Sequence, residues 1–89
     1  MTRTFDAAAA WELAPGVALR EEDFGALAYD SATRHLTFLR SAALATLVGS
    51  LARYPSADAA LDALADPSER PALATALAAL ARRGVLRAR

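Results

Sequence analysis

Cysteine is missing from this chain of 89 residues, and so are lysine, asparagine and glutamine. The first absence excludes disulfides, thiolate metal sites, redox pairs and cysteine nucleophiles, and it accords with a reducing compartment. The missing amides exclude adenine readout through an Asn or Gln side chain. A GC-rich coding bias accounts for such a composition without a functional cause. Histidine occurs once, at His35, with no acidic neighbour in local sequence. As a base it would need a nucleophile and an orienting group, and neither is visible. The four glycines are scattered, so there is no phosphate-cradling loop. No apolar run reaches the roughly 18 residues of a membrane span. An excess of one charge is lacking too. Ten basic residues, all arginine, balance ten Asp plus Glu, so no strong field draws the chain onto nucleic acid or an anionic membrane. These absences predict a cytoplasmic protein that is not an enzyme and uses no cofactor or metal.

What is present is apolar: hydrophobic residues make up 55% of the chain, which sets it apart from disordered sequences, although much of that share is weakly packing alanine. The length fits one domain, with a stability of a few kcal/mol up to about 10. Residues 1–10 read as a loose tail and residues 11–89 as a single domain.

The organising stretch is residues 17–39. Trp11 and Leu13 hint at a short extended entry, broken by Pro15 and Gly16. Val17 and Leu19 alternate with Ala18 and Arg20, the mark of a half-buried strand. Glu21, Glu22 and Asp23 read as a solvated turn in preference to a metal site. A second strand covers residues 26–29, with Leu27 and Tyr29 on one face and Ala26 and Ala28 on the other. A polar hairpin loop over residues 30–34 leads to a third strand, residues 35–39. There Leu36 and Phe38 are expected inward, and His35, Thr37 and Leu39 outward.

Three helices follow. Ser41 caps the first, whose stripe is Leu44, Leu47, Val48 and Leu51. Ser56 caps the second, with Ala57, Ala60, Leu61 and Leu64 inside. Ser68 is the expected cap of the third, placing Pro71 in its first turn. Its stripe is Leu73, Leu77 and Leu80, and it ends at Arg82, Arg83 and the left-handed stop Gly84. The fold class is thus α+β: a three-stranded antiparallel sheet followed by three helices, with a winged-helix flavour.

Helix-turn-helix units often read DNA, which makes a winged-helix DNA-binding protein the alternative. The third helix argues against it, carrying no charge from Pro71 to Ala81 where phosphate contacts would be needed. Its small residues Ala72, Ala74, Thr75, Ala78 and Ala79 leave an apolar trough instead. Beside the edge of the third strand that trough would wall a peptide groove, open to an extended guest. Coding bias toward alanine, or a face covered by self-association, explains the same residues.

The residues Val17, Ala18, Leu19 and Arg20, then Phe24, Gly25, Ala26 and Leu27, Tyr29, and the run from Arg34 to Leu39 resemble the peptide chaperones of mycofactocin biosynthesis. The pattern departs by lacking a proline near Glu21 and a second leucine at Ala28. These proteins are similar to the pyrroloquinoline quinone biosynthesis peptide chaperone and share its leader-recognition fold. The resemblance implies binding of a precursor peptide's leader and presentation to a radical S-adenosylmethionine maturase. It implies a peptide site at His35, Leu36, Thr37, Phe38 and Leu39 on the strand and at Leu73, Ala76, Leu77, Leu80 and Arg83 on the third helix. The expected state is a monomer or weak dimer, with no nucleic acid or membrane partner.

Overall fold

The computed structural model describes residues 4–89. It is α+β, with two antiparallel sheets and three helices. Strand β1 (Trp11–Leu13) opens the fold, followed by β2 (Val17–Glu22), β3 (Gly25–Asp30) and β4 (Leu36–Leu39). Helix α1 (Ala42–Ser50) runs into a single 3-10 turn, Leu51–Arg53, then come α2 (Ala57–Leu64), α3 (Arg70–Arg82) and a last strand, β5 (Leu86–Ala88).

Strands β2, β3 and β4 form the expected sheet in that order, with Val17 opposite Asp30 and Tyr29 opposite Leu36. Both hairpins are local. The Asp30 carboxylate holds the second one by accepting the Ala32 and Thr33 N–H groups at 2.9 and 3.3 Å. Gly25 fixes where the sheet turns toward α1. Its φ is 142°, and a Cβ there would lie 2.1 Å from the Leu39 carbonyl oxygen and 2.8 Å from that of Ser41.

The second sheet was not foreseen. Trp11 pairs with Ala88 and Leu13 with Leu86, joining the beginning of the domain to its end. Residues 4–10, expected as tail, run along the body. Phe5 packs on Trp11 with ring centroids 5.0 Å apart, and the Trp11 indole N–H donates to the Asp6 carbonyl at 2.8 Å. The Ala7 and Ala9 carbonyls accept the Asp58 and Ala57 N–H groups at the start of α2, at 2.8 and 3.0 Å. The remaining residues of the expected tail, 1–3, lie outside the described residues.

The helices begin where local chemistry caps them, with one exception. Ser41 Oγ accepts the Leu44 N–H and Ser56 Oγ the Ala59 N–H, each at 3.0 Å. Ser68 does not cap α3. Its N–H and hydroxyl both donate to Asp66 Oδ1, at 3.0 and 2.8 Å, and the helix starts later with Glu69 in the cap position and no side-chain bond. Pro71 still falls in the first turn, where its missing N–H leaves no helix bond unmade.

Leu47, Val48 and Leu51, Ala57, Ala60 and Leu61, and Leu73, Leu77 and Leu80 are all buried, so each helix turns its expected stripe inward. Only Leu44 and Leu64 sit partly or largely in solvent. On the sheet the expected facing is reversed. Leu39 and Thr37 point into the core at 0% and 9% exposure, whereas Leu36 and Phe38 face solvent at 49% and 52%. The small Ala26 and Ala28 share the inner face. α1 packs on β3 and β4 there, and residues without bulk let the helix approach the backbone.

Candidate functional site

Strand β4 has β3 on one side and, among the described residues, no strand on the other. The Asp30 N–H donates to the His35 carbonyl at 3.0 Å while the Asp30 carbonyl accepts the Arg34 N–H at 2.7 Å, which sets the bonded phase of the ladder at residue 35. In an antiparallel ladder bonded pairs alternate with unbonded ones. Thr37 opposite Ala28 and Leu39 opposite Ala26 therefore bond inward to β3. Leu36 and Phe38 turn their N–H and C=O groups to the open side.

Those two residues carry their side chains on the outer face of the sheet, in cross-strand pairs with Tyr29 and Leu27. Phe24 joins them, its ring centroid 5.7 Å from that of Phe38, and the Arg40 guanidinium lies 5.5 Å over the Phe38 ring. Phe24, Tyr29, Leu36 and Phe38 are all substantially exposed. One face of a small sheet thus displays a row of large apolar side chains next to unpaired backbone.

On the inner face, at the hairpin end, a pocket of about 260 Å³ opens between the sheet and the turn after α3. Its lining includes His35, Thr37 and Arg83 of the expected peptide site, together with Val17, Ala28, Gly84 and Val85. Gly84 has φ 81°, the left-handed turn that ends α3 and brings Val85 back against the body. The rest of the expected helix wall is placed differently. Leu39, Leu73, Leu77 and Leu80 are core residues and offer no side-chain surface. Ala76 is half-buried on α3 and does not line the pocket. What α3 contributes to the pocket lining is the turn at its C-terminal end, Arg83, Gly84 and Val85, for which the glycine stop was the sequence signal.

The charge around this edge is one-sided. Arg34, His35, Arg40 and Arg83 are exposed, and none forms a salt bridge among the described residues. Three other arginines are paired, Arg70 with Asp58 and Asp62, Arg87 with Glu12 at 2.7 Å and Arg20 with Glu22 at 3.1 Å, whereas Arg53, Arg82 and Arg89 also have no carboxylate partner among the described residues. The one acid lining the pocket is Asp30, whose Oδ1 is held by loop amides.

A larger recess of about 350 Å³ lies between α1 and the turn carrying Glu21, Glu22 and Asp23. Among the described residues no group of three or more His, Cys, Asp or Glu side chains is placed to hold a metal ion. The exposed positions of α3 before its last turn are Pro71, Ala72 and Thr75, which offer no phosphate contacts. No helix among the described residues is long and apolar enough to cross a membrane.

Comparison with known proteins places this geometry in context. The model of the peptide chaperone MftB family matches residues 10–87. The chain is 44% identical over 72 residues to a protein of Mycolicibacterium smegmatis named peptide chaperone MftB, covering 79% of this chain and 71% of the relative. It is 41% identical over 78 residues to the protein of that name from Mycobacterium ulcerans, covering 86% and 72%. With the one from Mycobacterium tuberculosis it shares 47% over 51 residues, 57% of this chain and 47% of the relative. No solved structure matches the chain.

Proposed function

The chain belongs to the MftB peptide chaperone family, and from that premise we propose that it binds the leader of the ribosomally made mycofactocin precursor and presents it to a radical S-adenosylmethionine maturase. The leader adds as a strand along β4. The observation that carries this reading is the vacant side of β4, where Leu36 and Phe38 direct backbone donors and acceptors away from β3.

An added strand exchanges main-chain bonds with those two residues. Each such bond contributes a net ~1 kcal/mol, so four of them give ~4 kcal/mol, which corresponds to only about millimolar affinity. Tighter capture has to come from side chains, and these are in place: the exposed Leu36 and Phe38 on one face, and the pocket at Thr37 and Arg83 on the other. Binding by the leader's backbone leaves the far end of the precursor free for the maturase. The chain's own role is to hold and orient, as a monomer or weak dimer in the cytoplasm, and it contributes no reacting group.

Amide mapping by NMR with a synthetic leader tests this. Shifts are expected at Leu36 and Phe38 and across Arg83, Gly84 and Val85. Shifts confined to Glu21, Glu22 and Asp23 would overturn it.

A further inference from the structure

The edge of β4 has two chemically different sides, and their difference specifies the guest. We infer that the strand received there is two-faced: apolar residues opposite Leu36 and Phe38, alternating with carboxylates that face Arg83 and His35. This rests on the reading that a peptide adds along β4, and it deepens that reading by stating the peptide's chemistry.

The argument follows from ladder geometry. Residues directly opposite each other in a sheet share a face. A guest residue opposite Leu36 or Phe38 therefore lands on the outer face. There it continues the row of Phe24, Tyr29, Leu36 and Phe38, which the fold leaves in water. An apolar side chain covers that row; a charged one would desolvate against it. The guest residues between them point to the inner face, beyond His35 and Thr37, toward the pocket that Arg83 lines. Arg34 and Arg83 have no salt-bridge partner among the described residues, and neither has Arg40, whose guanidinium sits over Phe38 on the outer face; Asp30, the pocket's acid, accepts two amides of its own loop. The bases near this edge, Arg34, Arg40 and Arg83, outnumber the one acid of the pocket, Asp30, even though the chain as a whole has net charge zero. A two-sided requirement also gives register, because a slip by one residue turns the carboxylates onto the aromatic face and the apolar residues into the basic pocket.

The probes are short capped peptides titrated into the full chain. One is Thr-Val-Glu-Val-Glu-Val-Thr. The second replaces both glutamates with arginine, and the third has the first peptide's residues in blocks, Thr-Val-Val-Val-Glu-Glu-Thr. The alternating acidic peptide is expected to shift the Leu36 and Phe38 amides and to bind at least about tenfold tighter than either of the others. With Arg83→Gln the preference for glutamate over arginine shrinks, and with Arg83→Glu it reverses; Arg83 is exposed, so the native amide spectrum persists in both. Equal binding of all three peptides at Leu36 and Phe38, or a charge preference untouched by both Arg83 variants, overturns the two-faced guest and leaves strand addition standing. Absence of any shift at Leu36 and Phe38, with these peptides and with the precursor leader alike, overturns the underlying reading as well.

Discussion

Proline at two adjacent positions of β4 separates the open side of the strand from the paired side. Leu36 directs its N–H outward, and its side chain is half exposed. Leu36→Pro removes a donor that no residue of the sheet uses, and edge strands tolerate proline there. Its cost to folding is expected below about 1 kcal/mol. The cost to binding is larger. One main-chain bond is lost, a net ~1 kcal/mol, and a guest carbonyl buried without a partner raises this to ~3 kcal/mol. Leader affinity should fall by about 5-fold to 150-fold. Thr37 is the opposite case. Its N–H belongs to the bonded pair with Ala28, and its side chain is 9% exposed. Thr37→Pro breaks the ladder inside the fold and should cost ~3 kcal/mol or more, a third or more of the roughly 5–10 kcal/mol available to a domain of this size. Urea unfolding followed by the single tryptophan measures the first quantity, and calorimetric titration with the leader the second. An unchanged urea midpoint for Thr37→Pro, or native affinity for Leu36→Pro, would refute the assigned register.

Two further outcomes follow from other parts of the molecule. Gly25→Ala puts a methyl 2.1 Å from the Leu39 carbonyl oxygen in a backbone conformation side chains rarely adopt, so it should destabilise by ~3 kcal/mol or more, read as loss of the cooperative urea transition at lower denaturant. Asp66 is held below its ordinary value of 3.8 by the Ser68 backbone N–H and then by the Ser68 hydroxyl. A lowered folded value means that its contribution is present above 3.8 and is lost as pH falls through the folded value. Ser68→Ala should raise the Asp66 midpoint in an NMR titration, and an unmoved midpoint would remove the hydroxyl from the account.

The facing of β4 marks the limit of what the sequence discloses. Alternation in Leu36, Thr37, Phe38 and Leu39 makes a strand legible, but both of its faces carry leucine, so period alone does not say which is inside. The decision is tertiary: Gly25 brings the backbone against Leu39, and the paired Ala26 and Ala28 seat α1. The helices were readable because one face of each is unambiguous, as Leu73, Leu77 and Leu80 show. Ser68 misled because Asp66, two residues earlier, competes for its hydrogen bonds. Trp11 and Leu13 show β1 as an extended entry, but nothing local names its partner β5, three residues at the opposite end of the domain. For the proposed site, the resemblance pointed to β4 and to Arg83, which lines the pocket with His35 and Thr37. The Phe24, Tyr29, Leu36 and Phe38 row stayed hidden with the facing, whereas Gly84 was legible as the stop of α3 although its place beside the pocket was not.

The clasp between the first and last strands sets the order of events during synthesis. Trp11 is 2% exposed in the finished fold, and the strand paired with its own is made of residues 86–88. While a ribosome is still threading the third helix, that pairing cannot form, and the surroundings of the indole are incomplete. The emission of that lone indole is therefore a built-in clock: its blue shift marks the moment when the polypeptide has closed upon itself.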